Sequence, residues 1–211
     1  GAEMAGEVGT CQSELIIIEE EAIEATYVST IASEVMTSFG AETTIVISDD
    51  DGASPGTEGE VGNRFGLVRF QESIIPDNAV VSNFEVCFTP NVEPSVTPFI
   101  LDVWGINEAC GQWSEQDHFQ DIVGANECIP SGLRFSNSGD SEGNPLVFID
   151  GTSELCEPLN PAYAREYLNN GISLHVAQVD TQRFYSSIQF NANNQLGGPK
   201  VKITYNPCPD N

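Results

Sequence analysis

The side chains in this sequence that could do chemistry are thiols and carboxylates, and their spacing decides which chemistry that is. Six cysteines, Cys11, Cys87, Cys110, Cys128, Cys156 and Cys208, are scattered along the chain, and no two form a Cys-x-x-Cys pair. The two histidines, His118 and His175, stand at no metal-ligand spacing from them. A zinc site needs such clustering, so the cysteines read as three disulfides made in an oxidising compartment, each stabilising by ~2–4 kcal/mol. The expected pairing joins Cys110 to Cys128, on their closeness in sequence. Cys11 with Cys208 and Cys87 with Cys156 complete it, on no comparable basis.

The hydrolase pattern G-x-S-x-G occurs once, as Gly52-Ala53-Ser54-Pro55-Gly56. That chemistry places the serine on a tight strand-to-helix turn. Here Pro55 follows the serine directly and no helical pattern comes after it, so the match is one of chance. Paired carboxylates for glycoside cleavage are not marked out anywhere. The chain is expected to be no enzyme.

Binding is the better prospect. The loops Asp49-Asp50-Asp51 and Asp140-Ser141-Glu142-Gly143-Asn144 put several oxygens on or beside glycine-containing turns, which suits a calcium ion. Neither has EF-hand spacing, and solvated turns are the plainer reading. Calcium is thus a candidate and no cofactor is required. A glycan platform would use exposed rings: Trp113, Phe119 and Tyr185, with Arg183 beside Tyr185 for a sugar hydroxyl. Trp104 sits in a strand that reads as buried, and core packing competes for every ring. Arg69, inside an apolar strand, is expected to pair with a carboxylate.

Seven Lys and Arg face 32 Asp and Glu, a formal net charge of −25. Nucleic acid, which is gripped through clustered basic residues, is excluded as a partner. Anionic lipids and glycans are disfavoured unless a divalent cation bridges. No apolar run approaches the ~20 residues of a membrane helix. The opening Gly1-Ala2-Glu3 reads as a mature product whose leader has been removed, or as a short scar.

The elements that must position these groups are strands. Apolar and β-branched runs recur at 15–18, 22–28, 43–48, 65–70, 80–88, 98–105, 146–149, 172–176, 184–190 and 201–205, between Gly, Pro, Asn and Asp clusters. That density predicts an all-β sandwich or barrel. One helix is expected: Asn160 caps it, Pro161 suits its first position, Asn170-Gly171 stops it, and Tyr163 and Tyr167 share a face. Residues 1–13 read as an N-terminal tail, 14–206 as one β-sandwich domain and 207–211 as a C-terminal tail.

The order of these runs resembles that of DNRLRE-type domains. Ala22–Val28 is similar to their acidic opening strand, Ser38-Phe39-Gly40 to their turn, and Thr43–Ile47 to the apolar strand that follows. Phe65-Gly66-Leu67-Val68-Arg69-Phe70 is similar to "LLRFDLS", and Ile75–Phe84 to "IPSGATVTSATL". Trp113-Ser114-Glu115 falls at the tryptophan-centred loop; Tyr163–Leu168, Asn170–Leu174 and Pro199–Tyr205 fit the final third. Gln71 departs from the acidic residue expected after Phe70, and six cysteines are unusual there. The resemblance implies a jelly-roll-like antiparallel β-sandwich of secreted and surface proteins, some relatives being carbohydrate-binding modules of polysaccharide-degrading enzymes.

Two functions follow as expectations. The first is an extracellular structural or adhesive subunit of a matrix, surface layer or filament, its partners other copies of itself or matrix components. The alternative is a monomeric carbohydrate-binding module for an extracellular polysaccharide.

Overall fold

The computed structural model describes residues 14–50, 62–92, 94–95, 98–123, 128, 133, 144–148, 153–177, 185–193 and 196–207. The strands are β1 (Ile16–Glu21), β2 (Glu24–Ser29), β3 (Thr44–Asp50), β4 (Gly62–Arg69), β5 (Val80–Phe88) and β6 (Pro90–Val92). Next come β7 (Phe99–Gly105), β8 (Asn144–Phe148), β9 (Leu155–Leu159), β10 (Ile172–Val176), β11 (Tyr185–Asn191) and β12 (Lys200–Asn206). The helices are α1 (Phe119–Ile122) and α2 (Ala164–Asn170).

Two antiparallel sheets result. The smaller runs β1-β12-β5-β9; the larger runs β6-β11-β3-β4-β10-β7-β8, with β2 alongside β4. The expected β-sandwich with one short helix of appreciable length is what folds. Strand alternation builds it: Val201, Ile203 and Tyr205 of β12 are buried while Lys200, Lys202 and Thr204 between them are not. Phe84, Val86 and Phe88 of β5 share the core with Ile45, Ile47, Leu101, Val103, Ile172 and Leu174 from the larger sheet.

The larger sheet is buried on its other face as well. Val28, Phe65 and Leu67 pack there with Ile106, Cys110, Trp113, Ile122, Cys128 and Leu133. Phe65 and Leu67 of β4 serve one core, and Val68 with Phe70, just past the strand's end, serves the other. The Cys110–Cys128 disulfide lies in this second core, and Cys87–Cys156 joins β5 to β9. Both match the expected pairing; Cys11 and Cys208 lie outside the described residues.

The helix starts as a 3-10 turn at Pro161–Tyr163, its first N–H capped by the Asn160 side chain, and continues as α2. Gly171 ends it with φ +91°, where a Cβ would meet the Val68 carbonyl at 2.9 Å and the Trp113 ring at 3.0 Å. Tyr167 packs on Phe84, ring centroids 5.2 Å apart, and Tyr163 borders the same core.

Three expectations need correction. β1 continues past Ile18 to Glu21, because Glu19 and Glu21 face Lys202 and Lys200 across the ladder. β6 and β9 were not anticipated, since Pro90, Cys156, Glu157 and Pro158 hide them from a hydrophobic pattern.

Candidate functional site

The calcium loops are not assembled among the described residues. Asp49 lies near the end of β3 opposite Asn63, and the backbone of Asp50 is the last of that strand. Asp51, Asp140, Glu142, the Gly52–Gly56 motif and Arg183 lie outside the described residues, as does the Tyr185 side chain. Three acid or thiol groups close enough to share an ion are Cys87, Glu154 and Cys156, but those two sulfurs are bonded to each other.

Of the candidate glycan rings, Trp113 falls to the core packing that competes for each of them. Trp113 is 2% exposed, so its face offers no platform to a sugar. Its indole N–H donates to the Asn170 carbonyl at 2.9 Å, and the Arg69 guanidinium lies 4.4 Å above the ring. Arg69 also donates to Glu24 at 2.7 Å and to the Gly111 carbonyl at 2.6 Å. The carboxylate partner expected for Arg69 is thus Glu24, across the β2–β4 ladder. Phe119 is half-buried, edge-on to Phe65 at 5.9 Å. A cavity of about 320 Å³ beside this clamp is lined by Arg69, Gln71, Glu72, Gln112, Trp113 and Asn169.

One further constellation bears on chemistry. Ser173 and His175 are hydrogen-bonded at 3.1 Å on β10, and Asp102 of β7 lies opposite His175. These are the residue types of a serine hydrolase. Ser173 is fully buried, however, and its hydroxyl donates to the Leu133 carbonyl. His175 stacks on Phe65 at 4.7 Å. Ser173 and His175 thus brace the second core through Leu133 and Phe65.

Among the described residues, the longest consecutive run of exposed apolar side chains lies at the start of β1 and just before it. Leu15 is 59% exposed, Ile17 76% and Ile16 37%, while Ile18 alone borders the core. β1 pairs with β12 along its whole length and forms one edge of the smaller sheet. Such an edge offers unpaired backbone groups to another strand. The other edges are guarded. β6, β8 and β9 carry Pro90, Pro145 and Pro158, which lack the N–H a partner strand needs. β2, off the main path, is covered: Glu115 accepts from the Ala25 N–H at 2.8 Å and Phe39 stacks on Tyr27 at 4.1 Å. Among the described residues β1 has neither device, and only its second half, Glu19 to Glu21, is charged.

Beside it sit Lys200 and Lys202, the only lysines in the chain. Lys200 reaches Glu19 at 3.2 Å and Glu154 at 3.3 Å; Lys202 reaches Glu154 at 3.1 Å and Glu19 at 3.7 Å. Hydrogen bonding from Lys202, then Lys200, holds the Glu154 carboxyl below its usual range. The hydrogen bond to Glu19 raises Lys200, and that to Glu154 raises Lys202. The remaining described cations are also engaged internally: Arg64 by Glu34, Arg165 by the carbonyls of Pro76 and Asp77. Two lysines at alternate positions of one strand were the sequence signal for this clasp; its acidic partners, Glu19 and Glu154, lie far apart in the chain.

Comparison with protein-family models and with curated proteins finds no match.

Proposed function

We propose that this chain is a non-catalytic extracellular structural or adhesive subunit of a matrix, surface layer or filament, and that it self-associates through β1. The observation that supports this most is the contrast among sheet edges: the first half of β1 is exposed and apolar, with neither proline nor a cover among the described residues, where the others carry proline or are covered. Disulfides support an oxidising location. The kinship with DNRLRE-type domains, whose sandwiches occur in surface proteins, belongs to this proposal, as does calcium in neutralising repulsion between copies of charge −25.

Light scattering on the oxidised protein, with millimolar calcium and then with a chelator, tests the reading. Particles many times the monomer mass are expected, larger with calcium. A monomer in both conditions contradicts self-association. The polar cavity beside Arg69, rich in amide side chains, favours a second reading, a monomeric carbohydrate-binding module for a neutral polysaccharide. Retention on a glycan array by a strictly monomeric protein would select it.

A further inference from the structure

We infer that β1 is an exchangeable strand, and that in the assembly the β12 edge of each copy is filled by β1 of a second copy. This rests on the self-association reading above and names its partner surface.

Three features carry it. First, β1 holds its own sandwich lightly. Of Leu15, Ile16, Ile17 and Ile18, only Ile18 borders the core, whereas β12 places Val201, Ile203 and Tyr205 there. Second, the link to the rest of the fold is two residues long. Ala22 and Ile23 carry the chain from β1, in the smaller sheet, to β2, in the larger. Their N–H groups donate to the Pro199 and Arg69 carbonyls, both 2.9 Å, the Asn193 amide donates to the Ile23 carbonyl at 2.6 Å, and Ala22 alone of the two is buried. Short hinges between sheets favour exchange, because the strand reforms identical contacts on a neighbour while the hinge opens.

Third, charge specifies the receptor. Two copies of a chain at −25 repel almost everywhere they meet. The β12 edge is where this chain keeps both of its lysines, and the strand it receives brings Glu19 and Glu21 opposite Lys202 and Lys200. Register is fixed by the same ladder, Ile16 against Tyr205 through Glu21 against Lys200. Glu154, bound to both lysines from the far side, keeps them in place when Glu19 leaves. The remaining acidic surface then opposes other modes of contact. Once a neighbouring sandwich lies alongside, Leu15 and Ile17 lose their exposure to water, which favours the exchanged form.

A disulfide trap separates exchange from pairing within one chain. Ile17 and Thr204 face each other on the outer side of the ladder and take no part in the lysine clasp. The double variant Ile17→Cys with Thr204→Cys, in a Cys11→Ser, Cys208→Ser background that removes the disulfide expected just beyond the ladder, is assembled, oxidised and run on a non-reducing denaturing gel, with Ile17→Cys alone in the same background as the control. Exchange predicts a ladder of covalent multimers that collapses on reduction and is absent from the control. If particles form by light scattering but the gel shows only monomers closed on themselves, exchange is overturned and self-association by another contact stands. If native protein and variant alike scatter as monomers, the self-association reading fails and exchange with it.

Discussion

The two edges of the smaller sheet are held by different physics. β9 is bonded covalently to β5 through Cys87–Cys156, carries Pro158, and buries Leu159 in the core. Among the described residues β1 is held by its backbone ladder with β12, by exposed ion pairs and by Ile18. A disulfide and buried apolar area are not screened by salt, whereas surface ion pairs contribute little and are screened. The lesson is that durability sits at β9 and between the sheets, leaving β1 free to serve another purpose at small cost to the fold.

The strongest way to break this comparison is to remove the covalent edge. Cys87→Ser with Cys156→Ser should lower stability by ~2–4 kcal/mol, because the bond closes a long loop in the unfolded chain. Guanidinium denaturation followed by fluorescence reads this, and an unchanged midpoint would contradict it. Next comes an inner ion pair. Arg69→Leu leaves the Glu24 carboxylate and the Gly111 carbonyl without their donor and removes the cation over Trp113. A loss of ~1–3 kcal/mol is expected, with a change in tryptophan emission. Lys200→Ala with Lys202→Ala should cost less, ~1 kcal/mol or below, and the difference from the native protein should shrink further in molar salt. A loss as large as that at β9 would show that β1 is no lightly held strand.

The smallest effect concerns pH at β9. Burial pushes the Glu157 carboxyl up to about 7. The folded state then holds this proton more tightly than the unfolded chain, whose carboxyl titrates near ~4.3. Its contribution to stability is complete below that value and is lost as pH rises through about 7. Glu154, held low by its lysines, acts in the opposite sense and loses its contribution as pH falls through the carboxylate range. Glu157→Gln should therefore flatten the decline in melting temperature between weakly acidic and neutral pH. An identical slope in both proteins would exclude the assignment.

Much of the fold was legible because local pattern and local structure coincide. The runs at 80–88 and 172–176 are strands to the residue, and Asn160, Pro161 and Gly171 punctuate the helix where turn chemistry requires. Closeness in sequence found Cys110–Cys128. What stayed hidden depends on partners far along the chain. β9 is invisible as Leu-Cys-Glu-Pro-Leu until β5 and a disulfide hold it. Trp113 reads as a surface ring until Arg69, Asn170 and Gly171 enclose it. The apolar run at 15–18 was plain, yet its standing as an open edge follows only from strand order, which no periodicity encodes.

The most direct test of the account is sedimentation of native protein and Ile17→Lys across a concentration series. Ile17 is 76% exposed, so the substitution leaves the sandwich intact while placing a charge within the apolar half of the open edge. The account predicts that the native protein grows with concentration and that Ile17→Lys remains near monomer mass with an unchanged melting temperature. Equal assembly of the two proteins would contradict the claim that β1 is the assembling edge.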